Sequence, residues 1–318
     1  MRLGRFEQRC NICRACGIMT NTKAQVRDAL DRLVTALRPK LHRYCARMTG
    51  SAIDGEDVVQ EALLKAVQSV QRMDSVANPE AWLFRIAHNT TVDFLRRRAR
   101  QASQLCQLKD RTLEVLPDLV DKIAQRQATA VSLRMFMRLK TAERSSVILK
   151  DVLGYSLREV AEAMAVTMPT VKAALHRGRM HLRELAQQPE DLPPPVMSEQ
   201  ERILLTAYID RFNARDFDAV RRMIAEDVRL ELVGRSVMRG RAEVAPFLGK
   251  EAATREGWSL LLAFVDRRPA VLVCPPKDAL ASRRYPVVLK FEDRKIANIR
   301  DYRHTAYLLD DAEIIPTG

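Results

Sequence analysis

Two helical modules, the second built around a helix-turn-helix, followed by an α+β module: this is the fold class that the 318-residue sequence predicts. Three observations predict it. Apolar residues recur at helical spacing almost without a break from Ala24 to Leu185. Pro189, Pro193, Pro194 and Pro195 then interrupt the chain and stiffen it into a spacer. Beyond Asp227 the pattern changes to short β-like runs, and helices followed by runs of strands make an α+β domain.

The composition excludes several classes. With 47% hydrophobic and 29% charged residues, the chain is neither disordered nor fibrous as a whole. No apolar run reaches the ~18 residues of a membrane span, and no apolar segment follows the basic N-terminus. A cytoplasmic protein without membrane contact is expected. The net charge of +13 is unevenly spread. Residues 1–190 hold 32 Lys and Arg against 20 Asp and Glu, whereas residues 191–318 hold 21 against 20. A basic excess on one module is the footprint of a polyanionic partner.

The elements follow in order. Residues 1–22 read as a leader, of which residues 1–18 are an upstream extension ahead of a polar start at Met19. Within it Cys10, Cys13 and Cys16 have metal-like spacing, but a closed zinc site needs a fourth ligand, for which Cys45 or His42 are candidates. The preferred reading is that no metal and no cofactor is bound, and a disulfide framework is not expected. Residues 23–100 form the first helical module. Val58, Val59, Ala62, Leu63, Ala66, Val67 and Val70 make one apolar stripe, with the acids of Asp54-Gly-Glu-Asp at the positive end of the helix. A second helix starts at Pro79, passes Trp82, Leu83, Ile86 and Ala87, and runs into Arg96-Arg97-Arg98. Aromatic and amide side chains ahead of a basic run suit unpaired bases and their backbone; the competing reading for Trp82 is core.

Residues 101–118 read as a polar linker and 119–187 as the second helical module. Helices over about 156–164 and 169–185, separated by Ala165-Val166-Thr167-Met168, have helix–turn–helix spacing. Leu157, Val160, Ala161 and Met164 would pack against Val171, Leu175 and Leu182. Thr170, Lys172, Ala173, His176, Arg177 and Arg179 would then project outward, where such residues meet base edges and phosphates. Residues 188–198 form the proline-rich linker and 199–318 the last module. In that module Leu204, Leu205, Tyr208, Ile209 and Phe212 share a helical stripe, and strands are expected near 228–233, 260–265, 270–274, 287–291 and 296–300.

Three motifs in this order resemble the extracytoplasmic-function sigma factors of bacterial RNA polymerase. Asp54-Gly-Glu-Asp-Val-Val-Gln-Glu-Ala resembles their core-polymerase-binding helix, and Asn78-Pro-Glu-Ala-Trp-Leu-Phe-Arg-Ile-Ala-His-Asn their −10-reading segment. Tyr155-Ser-Leu-Arg-Glu-Val-Ala and Thr170-Val-Lys-Ala-Ala-Leu-His-Arg-Gly-Arg resemble the −35-reading helix-turn-helix, with Ala174 where the family often has Arg. The resemblance implies core RNA polymerase and promoter DNA as partners. It implies polymerase contacts at Glu56, Asp57, Val59, Gln60 and Glu61. It implies −10 contacts at Trp82, Arg85, Asn89, Asp93, Arg96, Arg97 and Arg98. For the −35 element it implies Ser156, Arg158, Glu159, Pro169, Thr170, Lys172, Ala173, His176, Arg177 and Arg179.

The last module resembles the cone-shaped SnoaL-like α+β domains. The residues concerned are Leu205 to Val220, Ala225-Glu-Asp-Val, Gly240-Arg-Ala-Glu-Val and Ile299-Arg-Asp-Tyr. Regulation in cis through an intramolecular contact follows as an expectation, with a small ligand as a further candidate partner. Asp301, His304 and Asp227 are the acid–base candidates, and Tyr208, Trp258 and Phe264 the candidate pocket walls. The preferred reading is not an enzyme. The alternatives are a conventional helix-turn-helix regulator with a ligand-sensing domain, and a fused cyclase or hydrolase.

Overall fold

A computed structural model describes residues 8–69, 78–106, 133, 135–187, 194–254, 257–276 and 283–317; the side chains of 8–27, 102–106 and 251–254 lie outside the description. The chain divides into two compact units. Met1–Thr49, Asp54–Leu108 and Met137–Leu185 form one, and Gly50–Ile53, Lys109–Phe136 and Ala186–Gly318 the other.

The first unit is helical. Its long helices are α1 (Gln8–Thr49), α2 (Ala52–Gln68) and α3 (Pro79–Cys106). Leu41, Tyr44, Cys45 and Met48 of α1 close a core with Val58, Val59, Ala62 and Ala66 of α2 and with Leu83, Phe84 and Ala87 of α3. The α2 stripe is therefore narrower than expected, because Val67 is exposed. The third helix outlasts its expected end at Arg100, since Gln101-Ala-Ser-Gln-Leu-Cys holds no glycine or proline to stop it. The remainder of the expected linker lies outside the described residues.

Helix α4 (Thr141–Val147) continues as a π-helical turn, Ile148–Val152. Helix α5 (Leu157–Met164) opens with a capping box: Glu159 N donates to Ser156 Oγ and Ser156 N donates to the Glu159 carboxylate. It stops at Ala165, which holds a left-handed backbone at φ 55°. Helix α6 (Met168–Leu185) follows, its first turn tied by the Thr167 hydroxyl to the Thr170 hydroxyl at 2.8 Å. The expected helix-turn-helix boundaries stand to within a residue. Val171, Ala174, Leu175 and Gly178 form the inward face of α6, so Ala174 packs in the core.

The second unit is α+β. Helices α7 (Glu199–Asn213) and α8 (Phe217–Met223) lead into β1 (Ile224–Leu232) and β2 (Ser236–Arg239). Helix α9 (Arg241–Thr254) precedes β3 (Ser259–Val265), β4 (Arg268–Cys274), β5 (Tyr285–Glu292) and β6 (Lys295–Asp301). The chain ends with α10 (Leu308–Asp311) and β7 (Ile314–Pro316). The sheet order is β2-β1-β6-β5-β4-β3-β7. Among the described strands, only β1 and β6 pair parallel. Leu205, Tyr208 and Ile209 of the expected α7 stripe join the inner sheet face in one core. All five expected strands are present. The short, exposed β2, the three-residue β7 and α9, which carries Pro246, left too weak a period to be read.

Helices α1 and α2 approach backbone to backbone at Gly55. A Cβ there would lie 2.6 Å from Ala46 N and 2.7 Å from Ala46 Cα. Gly55→Ala should therefore destabilise the helical unit by about 1–3 kcal/mol, despite alanine's better helix propensity of up to ~1 kcal/mol. Thermal unfolding checks this, and a raised midpoint would contradict it.

Candidate nucleic-acid interface

The outward face of α6 is the most direct candidate. Pro169, Thr170, Lys172, Ala173 and His176 are exposed, and they are spaced as one face of the first two turns. Arg177 and Arg179 are exposed as well but tied down. Arg177 Nε donates to Glu143 Oε1 at 3.1 Å, and Arg179 grips Asp151 through Nε at 2.9 Å and Nη2 at 2.6 Å. On α5, Ser156 and Glu159 are used in the capping box, while Arg158 pairs with Glu162 at 3.2 Å.

On α3, Arg85, Asn89, Asp93 and Arg96 are exposed at i, i+4, i+8 and i+11, which lays them along one face. Trp82, three residues before Arg85, continues that stripe by position but is covered and only 6% exposed. Arg97 pairs with Glu61 at 2.8 Å and Arg98 with Asp54 at 3.1 Å. The Arg97–Glu61 pair is partly exposed on both sides and worth only ~0–1 kcal/mol, so Arg97 can exchange its carboxylate for a phosphate at small cost. Asp54 is buried, so Arg98 is held more firmly.

Of the residues expected to face polymerase, Glu56 and Val59 are buried. Val59 belongs to the apolar stripe, and Glu56 accepts from Arg38 Nη2 at 2.5 Å. Asp57, Gln60 and Glu61 remain at the surface. One turn further, Leu64 is 64% exposed, a residue the sequence reading did not single out. Its signal was its place opposite Val58, Ala62 and Ala66 on the same helix.

A buried polar cluster joins α1, α3 and α4. The Tyr44 hydroxyl lies 2.7 Å from His88 Nδ1 and 2.8 Å from Ser145 Oγ. Burial drives the Tyr44 hydroxyl far above its ordinary value and lowers His88 to about 4. Beside it, buried Arg144 donates Nη1 to the Met48 carbonyl at 2.5 Å and Nη2 to the Met137 and Leu139 carbonyls at 2.9 Å. Desolvation lowers its pKa. The Tyr155 hydroxyl donates to Glu80, and the Tyr155 ring meets Phe84 edge-on at 5.0 Å. Cys45 and His42 are also buried in this unit; burial pushes the Cys45 thiol up to about 12, so it is no ready metal ligand. The side chains of Cys10, Cys13 and Cys16 lie outside the described residues.

In the second unit, Tyr208, Phe212, Phe217 and Tyr285 line a cavity of about 40 Å³ with Asp301 and Arg303 at its polar end. That is space for a few waters, well below the ~300 Å³ of a ligand pocket. Asp301 accepts from Arg303 Nε at 3.0 Å on both oxygens, from Nη2 at 2.5 Å and from Arg303 N at 3.0 Å. Asp227 and His304 are exposed, so neither joins Asp301 in an acid–base set. Trp258 is partly buried 6.2 Å from the Tyr285 ring, and Phe264 is buried but does not line the cavity.

Residues 33–101 match the family described as sigma-70 region 2, and residues 133–182 that described as sigma-70 region 4. The chain is 31% identical over 204 residues to the ECF RNA polymerase sigma factor SigG of Mycobacterium tuberculosis, covering 57% of this chain and 55% of SigG. It thus spans about half the length of that relative. It is 31% identical over 159 residues to the sigma factor SigM of the same organism, covering 50% of this chain and 78% of SigM. The crystal structure of the M. tuberculosis extracytoplasmic function sigma factor SigJ aligns with 85% of this chain and 96% of its own, at 20% identity and a TM-score of 0.34. No helix among the described residues is long and apolar enough to cross a membrane.

The His88 site has a measurable pH signature. Its folded pKa of about 4 lies below the ~6.5 of an unfolded histidine, so the unfolded chain binds the extra proton between these values. The site's contribution is complete above pH ~6.5 and is lost toward pH ~4, by on the order of 2–3 kcal/mol. Denaturant unfolding should show the wild type losing more stability than His88→Asn across that window. Equal losses would contradict the assignment.

Proposed function

Since this chain belongs to the extracytoplasmic-function sigma-factor family, we propose that it joins core RNA polymerase and directs it to promoters, with its C-terminal domain acting in cis. The observation that carries this reading is the outward face of α6: Pro169, Lys172, Ala173 and His176 are exposed while Val171, Ala174, Leu175 and Gly178 hold the helix down. A helix so held can lie in the major groove of a −35 element. The basic face of α3, with Arg85, Asn89, Arg96, Arg97 and Arg98, would follow the displaced −10 strand. The exposed part of α2, from Asp57 to Leu64, would dock on polymerase.

A consequence follows from size. Elements ~25 base pairs apart, at ~3.4 Å per pair, are separated by roughly 85 Å. A compact unit of ~150 residues is only about 40 Å across. The −10 and −35 readers, packed together here through Tyr44–Ser145 and Glu80–Tyr155, would have to part to engage both elements. The Tyr44–Ser145 and Glu80–Tyr155 contacts, which stand beside the apolar Phe84–Tyr155 ring contact, support such separation because their polar groups can be solvated when alone. For the C-terminal domain we favour a regulatory over a catalytic role, since Arg303 occupies the carboxylate of Asp301.

Run-off transcription with core polymerase tests the function: initiation from defined start sites is expected, and none under any condition, full-length or truncated after Gln200, would overturn it. Leu64→Arg tests the docking face. An exposed leucine amid acids is placed to anchor a partner, so core-polymerase binding should weaken at least about tenfold without loss of thermal stability. Unchanged binding in a titration would remove α2 from the interface.

A further inference from the structure

We propose that Glu143 is a positioning residue for −35 recognition: its buried carboxylate holds Arg177 and His181, one turn apart on α6, and so sets where the reading face of that helix lies. The proposal rests on α6 being the −35 reader. Glu143 belongs to α4, and its side chain is 2% exposed. Oε1 accepts from Arg177 Nε at 3.1 Å and Oε2 pairs with His181 Nδ1 at 3.0 Å. Burial alone would raise its pKa; the hydrogen bonds from His181 and Arg177 outweigh that and keep the carboxylate charged.

Gly178 lies between the two held residues and lets the helices come close. A Cβ there would stand 2.8 Å from Val147 Cγ2 and 3.2 Å from Glu143 O. Apolar contact of this kind fixes the distance between helices but is not directional, so α6 could still turn or slide over α4. Two hydrogen bonds to the two oxygens of one carboxylate, made by residues four apart, oppose both movements. The Arg179–Asp151 pair adds an attachment to the π-helical turn, from the other side of Gly178. The reading face from Pro169 to His176 lies directly N-terminal to these anchors, so small errors in their placement are carried into the groove.

The clamp also alters the role of Arg177. Its Nε is engaged with Glu143, yet the side chain is 56% exposed. The guanidinium is thereby held by its Nε while much of the side chain stays open to solvent, where a phosphate would be. Phosphate contact by Arg177 and its aim by Glu143 are then parts of one device.

The test uses the full chain with core polymerase, on promoters selected by the wild-type holoenzyme from a random duplex pool. Each promoter is compared with its −35-scrambled counterpart. Glu143→Ala should reduce the ratio of initiation between the two by at least about fivefold, with initiation from −10-only fork templates unchanged. Adding Arg177→Ala to Glu143→Ala should cost little more, because the two act as a unit. Should Glu143→Ala unfold the second helical module, Glu143→Gln keeps the volume and one acceptor; a lower ratio at unchanged melting temperature supports the proposal. A wild-type ratio in a folded Glu143→Gln or Glu143→Ala overturns it while the sigma reading stands. Promoter-dependent initiation without any −35 dependence in the wild type overturns it as well, and with it the assignment of α6.

Discussion

The helical unit depends on one short segment that carries charge where a hydrophobic contact would be expected. Glu143, Arg144, Ser145 and Ser146 of α4 are consecutive and all buried. Each unpaired polar group at such a site would cost roughly 1–3 kcal/mol, and the surroundings satisfy most of them, Arg144 Nε being left without a partner. Glu143 is met by α6, Arg144 by three carbonyls, and Ser145 by Tyr44 and His88. One face of α4 thus holds α6, and the other holds α1 and α3. Removing either set of partners leaves polar groups that water can satisfy, whereas an apolar seam would remain sticky.

This arrangement ties the two candidate nucleic-acid surfaces to a common support. The exposed stripe of α3 and the outward face of α6 both belong to helices whose inner faces are fixed through α4 or its neighbours. The ion pairs on those surfaces differ in strength. Arg97 is bound to a partly exposed partner and is easily exchanged, while Arg98 and Arg177 are bound to the buried carboxylates of Asp54 and Glu143 and are not. The basic excess seen in the sequence is therefore of two kinds: charge available to DNA, and charge that builds the surface DNA would meet.

How much was legible in the sequence follows from which signals are local. Capping residues, the 3.6-residue period and the turn at Ala165 are encoded within a few residues, and the helix-turn-helix emerged with nearly the expected limits. The direction in which a residue faces depends on packing from elsewhere in the chain. Glu56, Val59 and Trp82 match a motif by identity, yet all three are buried. Leu64 and Glu143 carry no motif, and it took the packing of α1 and α6 to show that one is exposed and the other enclosed. In the second unit the apolar strands were legible, but the locking of Asp301 by Arg303 two residues away, around the end of β6, was not.

The central claim is that the readers of two promoter elements are held together in the free chain and separate on the promoter. Single-molecule energy transfer between dyes at exposed positions of α3 and α6, such as Gln101 and Met180, measures this directly. The account predicts a compact separation of roughly 40 Å or less in the free protein and a shift toward the ~85 Å spacing of the elements in the complex with core polymerase and promoter. A distance that does not change on forming that complex would contradict it.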